Sequence, residues 1–272
     1  MLLTVRKPLT GRHVDLLKIL SVLTLLTAYA SVSYAQAQEK RLQRNAAAPQ
    51  WLDAVGKLAV PTIKYEEGRR RHHREDCSAT LIANRAGKYA DSIVTAWHCL
   101  EAYSDLSKPI IFTLEPWGRE PVALTARRLA DGGHIDADWA ILRLQRAIPS
   151  SEVRGLALGR SVPPDHTVLQ MAGYSGDSGL GRHGAQLTYD PSCRATTTTK
   201  RFISTDCLAY KGASGGAVVS VDESGQTVLR GIISQGDSDQ LSIYIPTTRF
   251  AGEISHLLAL RSSSVRMSPS SP

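Results

Sequence analysis

The chain has 272 residues, of which 42% are hydrophobic, and a formal net charge of +7 at pH 7. The first 35 residues carry four of the basic residues and one acid, Asp15, so the other 237 residues keep a net charge of about +4. That charge is too small to indicate a nucleic-acid partner, and 237 residues are enough to bury two small cores.

Residues 1–35 have the pattern of a secretory signal peptide. Basic residues precede an apolar stretch from Ile19 to Ala35, and small residues suit cleavage after Ala35 or Ala37. An uncleaved membrane anchor is the alternative, but the apolar stretch is short for a span. We therefore expect a secreted or periplasmic protein without stable membrane insertion once the signal is removed.

The segment that follows is polar and then gives way to strand-like patterns. Residues 36–50 are alanine-rich and predict an N-terminal extension. From Trp51 onward, short apolar runs alternate with Gly, Pro, Asp and Ser, as is typical of an all-β protein. We find no internal repeat.

Domain boundaries follow from the spacing of these runs. A proline-containing crossing over residues 145–165 separates two series of strands, so we expect a first β-barrel over 51–150 and a second over 151–261. The amphipathic spacing from Arg249 to Leu260 predicts a C-terminal helix in the second unit. Residues 262–272 predict a disordered tail.

A basic run from Arg69 to Arg74 holds four arginines and two histidines. Such a run could bind an anionic polymer or a membrane surface, or contact a metal. We favour a solvated loop between the first two strands.

The four cysteines are Cys77, Cys99, Cys193 and Cys207. An even number behind a secretion signal indicates two disulfides, for which three pairings are possible. Four reduced thiols would require a cytosolic protein and would conflict with the signal.

We expect neither a metal nor a cofactor. The histidines are scattered, and no set of ligands has zinc spacing. The glycine-rich segment from Gly176 to Gly184 lacks the Lys-Ser/Thr end of a phosphate-binding loop.

The segment Gly212-Ala213-Ser214-Gly215-Gly216 suggests a nucleophile held in a tight turn. Glycines let the backbone bend and approach a substrate closely. The backbone N–H groups of Gly212 and Ser214 can then point into one space and bind the oxyanion of a tetrahedral intermediate. The alternative is an ordinary glycine-rich loop.

Two upstream segments supply partners for the serine. A serine hydroxyl needs a base within hydrogen-bond reach, and His98 in the run Thr95-Ala96-Trp97-His98-Cys99 is the candidate. Asp138, directly before the apolar run Trp139-Ala140-Ile141-Leu142, would hold the other ring nitrogen. We expect the neighbouring His134 and Asp136 to be solvated loop residues.

Together, the motifs T-A-x-H-C, D-x-A-I/L-L and G-x-S-G-G, in this order, resemble those of the chymotrypsin-like serine proteases. The resemblance extends to the run Gly231–Gly236, read as G-I-x-S-x-G, and covers about residues 51–261. It implies two antiparallel six-stranded β-barrels with a C-terminal helix. It also implies a bacterial secreted serine endopeptidase that acts through an acyl-enzyme on protein or peptide substrates, and we expect a monomer.

The resemblance also implies a pairing for the cysteines. In this family the cysteine beside the histidine pairs with one at the place of Cys77, so we expect Cys77 with Cys99. Cys193 and Cys207 would then close a loop before the nucleophile.

The chain departs from the digestive members of the family at Ala213. Those proteases carry an aspartate there, which pairs with a new N-terminal amine after zymogen cleavage. The I-V-G-G start of that new N-terminus is missing as well. We therefore expect no trypsin-style activation and other contacts that order the oxyanion turn.

The family pattern also places the specificity pocket. Leu208, six residues before the nucleophile, has Ala209 beside it, and Ile233 stands where glutamate-specific relatives carry histidine. Gly236 would leave the pocket wall open, and Ser234 would bond near the aspartate or line the substrate strand. The pocket is therefore expected to accept a medium apolar P1 residue.

Two other function classes compete with the endopeptidase. A protease-fold binding protein would do no hydrolysis, although such proteins usually lose a triad member. An esterase would use the same triad, but His98 precedes Ser214 here, whereas an α/β-hydrolase has its histidine downstream.

Overall fold

The structure is a computed structural model that describes residues 39–84, 87–237 and 241–257. The predicted signal peptide (1–35), its cleavage sites, the predicted tail (262–272) and the end of the predicted C-terminal helix lie outside the described residues. Among the described residues, no helix is long and apolar enough to cross a membrane.

The first half of the fold is a closed β-barrel in which six antiparallel strands pair in the order β2-β3-β4-β7-β6-β5. A two-residue strand precedes the barrel. The strands are β1 (Leu42–Gln43), β2 (Val55–Glu66), β3 (Arg69–Ile82), β4 (Tyr89–Thr95), β5 (Ile110–Leu114), β6 (Val122–Asp131) and β7 (Ala140–Pro149).

Alternating side chains explain why these segments form a barrel. In β5, Ile110, Phe112 and Leu114 are buried while the residues between them are partly exposed, because successive side chains of a strand point to opposite faces. Leu81 and Ile93 from neighbouring strands are also fully buried. The barrel interior is therefore a packed apolar core, which fixes the strand ends that carry the candidate site.

The second half is a nine-stranded sheet that curls without closing. Eight strands follow the order β1-β10-β9-β13-β14-β15-β12-β11, and β8 pairs in parallel with β14. The strands are β8 (Ala157–Leu158), β9 (Leu169–Tyr174), β10 (Leu187–Cys193), β11 (Ala195–Thr198), β12 (Ile203–Thr205), β13 (Ala217–Val221), β14 (Thr227–Gly236) and β15 (Ser242–Pro246).

The predicted all-β, chymotrypsin-like class is confirmed: a closed six-stranded barrel stands beside a curled sheet in place of a second fully closed barrel. Residues 251–257 are helical, in agreement with the predicted C-terminal helix. Phe250 and Ile254 from this region are buried in the core, as their helical spacing predicts.

The basic run lies in a strand, in contrast to the expected loop. Arg69 to Arg74 form the first part of β3, and the register continues outward to the pair Glu66–Arg69. The hairpin turns at Glu67 and Gly68, which both have positive φ. The run is mostly exposed because the hairpin extends beyond the packed barrel.

Two disulfides join the four cysteines in the pairing that the family resemblance implies. Cys77 is bonded to Cys99 and Cys193 to Cys207. The first links β3 to the residue after His98, so it fixes the chain on one side of the candidate site.

Candidate active site

Three loops carry the residues singled out from the sequence. His98 begins the short helix α1 (His98–Glu101), directly after β4. Asp138 follows a single 3-10 turn and directly precedes Trp139 and β7. Ser214 lies in the turn before β13, and its carbonyl oxygen accepts a 2.8 Å hydrogen bond from the N–H of Ser78 in β3. That bond joins the nucleophile turn to the first barrel.

Asp138 holds His98 at two points. Its Oδ2 lies 2.9 Å from Nδ1 of the imidazole, and its Oδ1 accepts a 2.9 Å hydrogen bond from the backbone N–H of His98. The second bond satisfies a helix N-terminal donor that has no partner within the helix. Asp138 is fully buried, whereas the side chain of His98 is 29% exposed. The ring is therefore oriented from the protein side and open toward the surface.

Ser234 completes the environment of the carboxylate. Its hydroxyl donates a 2.5 Å hydrogen bond to Oδ2 of Asp138, so this buried oxygen has two partners. A buried carboxylate is costly unless its lone pairs are bonded. Of the two roles considered for the Ser234 side chain, bonding the aspartate is the one that the structure shows.

The electrostatics of the pair favour the protonated imidazole. Burial opposes charge on His98, but the hydrogen bond and the negative charge of Asp138 outweigh it and raise the pKa of His98. Glu75 and Glu101 add smaller contributions in the same direction. The site is thus built to stabilise an imidazolium, the state that a histidine reaches after it accepts a proton.

The hydroxyl of Ser214 is not hydrogen-bonded to His98 in this structure. Its Oγ donates instead to the carbonyl oxygen of Ser234 at 3.4 Å. The backbone places the serine beside the histidine loop all the same, since its carbonyl oxygen lies 3.9 Å from Sγ of Cys99. Catalytic hydrogen bonds are often long or misaligned before a substrate binds.

Two glycines allow the nucleophile turn to adopt its shape. Gly212 has φ +93° and Gly215 has φ +83°, conformations that L side chains rarely adopt. A Cβ on Gly215 would lie 2.2 Å from both the carbonyl oxygen of Ser78 and Oγ1 of Thr95. The turn therefore packs directly on the first barrel because this position has no side chain.

Ser78 and Thr80 of β3 anchor this turn. Oγ of Ser78 donates to the carbonyl oxygen of Gly212 at 2.9 Å and accepts from the N–H of Tyr174 at 2.8 Å. Oγ1 of Thr80 donates to the carbonyl oxygen of Gly215 at 3.1 Å. Neither residue was predicted from the sequence; their polar alternation after Cys77, in the buried half of β3, is the signal that could have found them.

These anchors direct the carbonyl groups of the turn toward the barrel. The backbone N–H groups of Gly212 and Ser214 donate to no other described group. They are the two donors predicted for an oxyanion. Among the described residues, no group competes for these two donors.

The predicted specificity residues divide into two groups. Leu208, Ala209 and Ile233 are buried and line a small crevice that is closed in this structure and has no room for a water molecule. Gly236 instead lies against the loop, because a Cβ there would be 2.7 Å from the carbonyl oxygen of Ala209. Ser234 faces Asp138 through its side chain, as described above.

Buried polar groups that were not predicted from the sequence lie on β10 and β15. The buried carboxylate of Asp190 accepts the N–H of Leu208 at 3.1 Å, and burial raises its pKa even though backbone N–H donors oppose this. The hydroxyls of Ser242 and Tyr244 in β15 are buried without a hydrogen-bond partner among the described residues. The loop at Leu208 is therefore bonded to a buried carboxylate.

The weaker candidates lie outside the site. Asp136 is exposed and forms a 3.2 Å ion pair with Arg201, and His134 is exposed as well. A cluster of potential metal-ligand atoms from Cys77, His98 and Cys99 spans less than 4.8 Å, but both sulfurs are in the disulfide and are not thiolates. It therefore does not have the donor set of a thiolate metal site.

Comparisons with known proteins agree with this geometry. Residues 77–228 match the family described as trypsin-like peptidase domain, and the match includes His98, Asp138 and Ser214. The chain belongs to this family. No curated protein matches the sequence.

Among solved structures, this trypsin-like peptidase domain is similar to the crystal structure of a thermostable serine protease, AL20, from an extremophilic microorganism. The two share 15% sequence identity with a TM-score of 0.53, over 73% of this chain and 93% of that one. At this identity the likeness shows the fold alone.

Proposed function

We propose that the protein is a serine endopeptidase whose triad is His98, Asp138 and Ser214. The observation that carries the proposal is the two-point bond between Asp138 and His98. Ser214 would attack the scissile carbonyl, His98 would take its proton and pass it to the leaving amine, and Asp138 would stabilise the imidazolium. The N–H groups of Gly212 and Ser214 would hold the oxyanion.

Substrate choice would be set by the pocket beside the nucleophile turn. Leu208, Ala209 and Ile233 offer an apolar lining, which would favour a medium apolar P1 residue when a substrate opens the closed crevice. Ser234 and Gly236 would contribute their backbone to the strand that binds the substrate. Because Leu208 brings no negative charge, the pocket gives no preference for Arg or Lys. A peptide library should therefore yield cleavage after apolar residues, and preference for Arg or Glu would contradict this.

We further propose a secreted or periplasmic protein that acts as a monomer without trypsin-style activation. Two disulfides agree with an oxidising compartment. The buried Ala213 has no charge with which to receive a new N-terminal amine. Residues 1–35 would be removed as a signal, and activity would require no cleavage before Val55.

The proposal is tested by fluorophosphonate labelling of the secreted protein. We expect a covalent adduct on Ser214 that is absent in Ser214→Ala, followed by cleavage of library peptides. A folded wild-type protein that gives no adduct would favour the second candidate, a non-catalytic protease-fold binder. The observation that favours such a binder is that Ser214 Oγ bonds the carbonyl oxygen of Ser234 and not His98. Turnover of simple esters but not of peptides would indicate an esterase.

A further inference from the structure

The segment before the first barrel packs along the second sheet. Leu42 and Gln43 form β1 and pair with β10, and the N–H of Arg44 donates to the carbonyl oxygen of Leu187 at 3.0 Å. Next to this strand, the side chain of Arg41 is 2% exposed. Charged side chains are rarely buried to this extent unless they are fully partnered. The buried guanidinium of Arg41 therefore requires specific partners.

Arg41 is held by two carboxylates and an aromatic ring. Its Nη1 donates to Oδ1 of Asp177 at 2.9 Å, and its Nε and Nη2 donate to both oxygens of Glu39 at 2.9 and 2.7 Å. The guanidinium carbon lies 3.9 Å from the centre of the Tyr210 ring. Burial raises the pKa of Asp177, but the bond from Arg41 outweighs it and lowers that pKa, so both partners remain charged.

Asp177 and Tyr210 are the two ends of a short connection to the oxyanion turn. Oδ2 of Asp177 accepts the N–H of Gly181 at 3.2 Å, which closes the loop after β9. The residue before it, Gly176, donates its N–H to the carbonyl oxygen of Lys211 at 2.6 Å. Tyr210 accepts the N–H of Ala213 at 3.0 Å through its backbone. Arg41 thus contacts both segments that hold residues 210–213.

The bond to Lys211 determines the direction of one oxyanion donor. The carbonyl of Lys211 and the N–H of Gly212 belong to one planar trans peptide, so they point in opposite directions. When Gly176 holds the carbonyl, the N–H of Gly212 must point away from the loop after β9. Rotation of this peptide would remove the donor from the oxyanion site.

We infer that Arg41 is a positioning residue that holds the Lys211–Gly212 peptide in its catalytic orientation through Asp177 and Tyr210. The inference rests on the proposed peptidase function. It assigns the order of the turn to an ion pair supplied by the chain upstream of the barrel. No new N-terminus is needed, which explains how Ala213 can stand at the place of the aspartate.

Loss of Arg41 should weaken binding of the transition state and binding of the substrate to different degrees. Without the guanidinium, Asp177 loses its charged partner and keeps only backbone donors, so the loop after β9 can release the Lys211 carbonyl. The oxyanion donor then has more than one orientation, which weakens binding of the transition state more than binding of the substrate. A purely structural role would lower stability without this selectivity.

The test compares the secreted wild type with Arg41→Met, using a peptide from the library and the matching peptidyl trifluoromethyl ketone. That inhibitor adds Ser214 Oγ to its carbonyl and leaves an oxyanion. We expect kcat to fall about 10- to 100-fold with KM changed less than about 3-fold, and the inhibition constant to rise in parallel with the loss of kcat. Measurements are made well below the unfolding midpoint of each variant.

Neighbouring variants serve as controls. Lys40→Ala removes a neighbouring positive charge and its surface bond to Asp206 but leaves the contacts of Arg41 in place, so its kinetics should stay close to the wild type. Arg41→Lys should recover part of the loss because it restores the charge. If Arg41→Met does not fold, Asp177→Asn tests the same connection. Where both single variants fold, the double variant with Arg41→Met and Asp177→Asn should lose no more kcat than either single variant.

The outcomes are distinct. A wild type that gives no fluorophosphonate adduct contradicts the proposed function and this inference with it. A reactive wild type, with inhibitor affinity in Arg41→Met or Asp177→Asn within about 2-fold of it, overturns the inference alone.

Discussion

Asp138 contacts His98 through both of its carboxylate oxygens, one on the ring and one on the backbone N–H. The backbone bond fixes the position of the residue, and the ring bond fixes the orientation of the imidazole. Because Asp138 is fully buried, neither bond competes with water. Asp138 therefore holds the imidazole of His98 in one position and one orientation.

Replacing Asp138 tests the importance of this pair. We expect Asp138→Asn to lower kcat by about 10³- to 10⁴-fold with KM nearly unchanged, because the amide no longer stabilises the imidazolium and can hold the wrong tautomer. Steady-state kinetics on a library peptide would measure this. Asp136→Asn is the matched control, since Asp136 is exposed and bonded to Arg201. A comparable loss in Asp136→Asn would reassign the aspartate.

The pH dependence of activity should reflect the raised pKa of His98. The base must be neutral to accept a proton, so activity is lost as pH falls through this pKa. Since Asp138 raises the pKa, the acid limb of kcat/KM should lie above the ordinary histidine value of about 6.5. Glu75→Gln should move that limb to lower pH because a negative charge is removed near the ring.

Glu152→Gln provides the comparison for this pH profile, because Glu152 pairs with Arg146 at the surface. Its acid limb should coincide with that of the wild type. An acid limb that Glu75→Gln leaves in place would contradict the assigned electrostatics.

The two anchors on β3 should contribute to stability and activity together. Ser78→Ala leaves the carbonyl of Gly212 and the N–H of Tyr174 without their partner, which should cost about 1–3 kcal/mol for each buried group left unsatisfied. Urea unfolding would give the stability, and kinetics would show whether the oxyanion turn loosens. We expect kcat to fall more than KM rises.

Thr80→Val and Thr125→Val form a matched pair for the same question. Thr80 bonds the carbonyl of Gly215 in a buried position, whereas Thr125 bonds Gln145 at the surface of β6. Only the first should reduce activity. Equal kinetics in the two variants would mean that the anchor does not act on the nucleophile turn.

The two disulfides should separate stability from activity. They close loops with sequence separations of 22 and 14 residues, and the chain-entropy relation gives about 3 kcal/mol for each. Replacing Cys77 and Cys99 by alanine should also lower kcat, since this bond fixes the residue after His98. Replacing Cys193 and Cys207 should mainly lower the unfolding midpoint. Equal activity losses after correction for the folded fraction would contradict this.

Local patterns made much of the fold predictable. The alternation in β5 and the helical spacing of Phe250 and Ile254 depend on neighbouring residues, so their period is readable in the chain. The register of the basic run was not readable in this way. The residues from Arg69 to Arg74 are charged, as is typical of a loop. They nevertheless pair with β2 and form a strand that extends beyond the barrel.

The sequence by itself determined the chemical types and order of the candidate site: a histidine, an aspartate and a glycine-flanked serine, each in a short motif. The tertiary structure alone decided which groups hold them. Ser78 reaches Gly212 across 134 residues, and Arg41 reaches Asp177 across 136. Such contacts leave no local period, because they arise only when tertiary packing brings distant segments to hydrogen-bond distance.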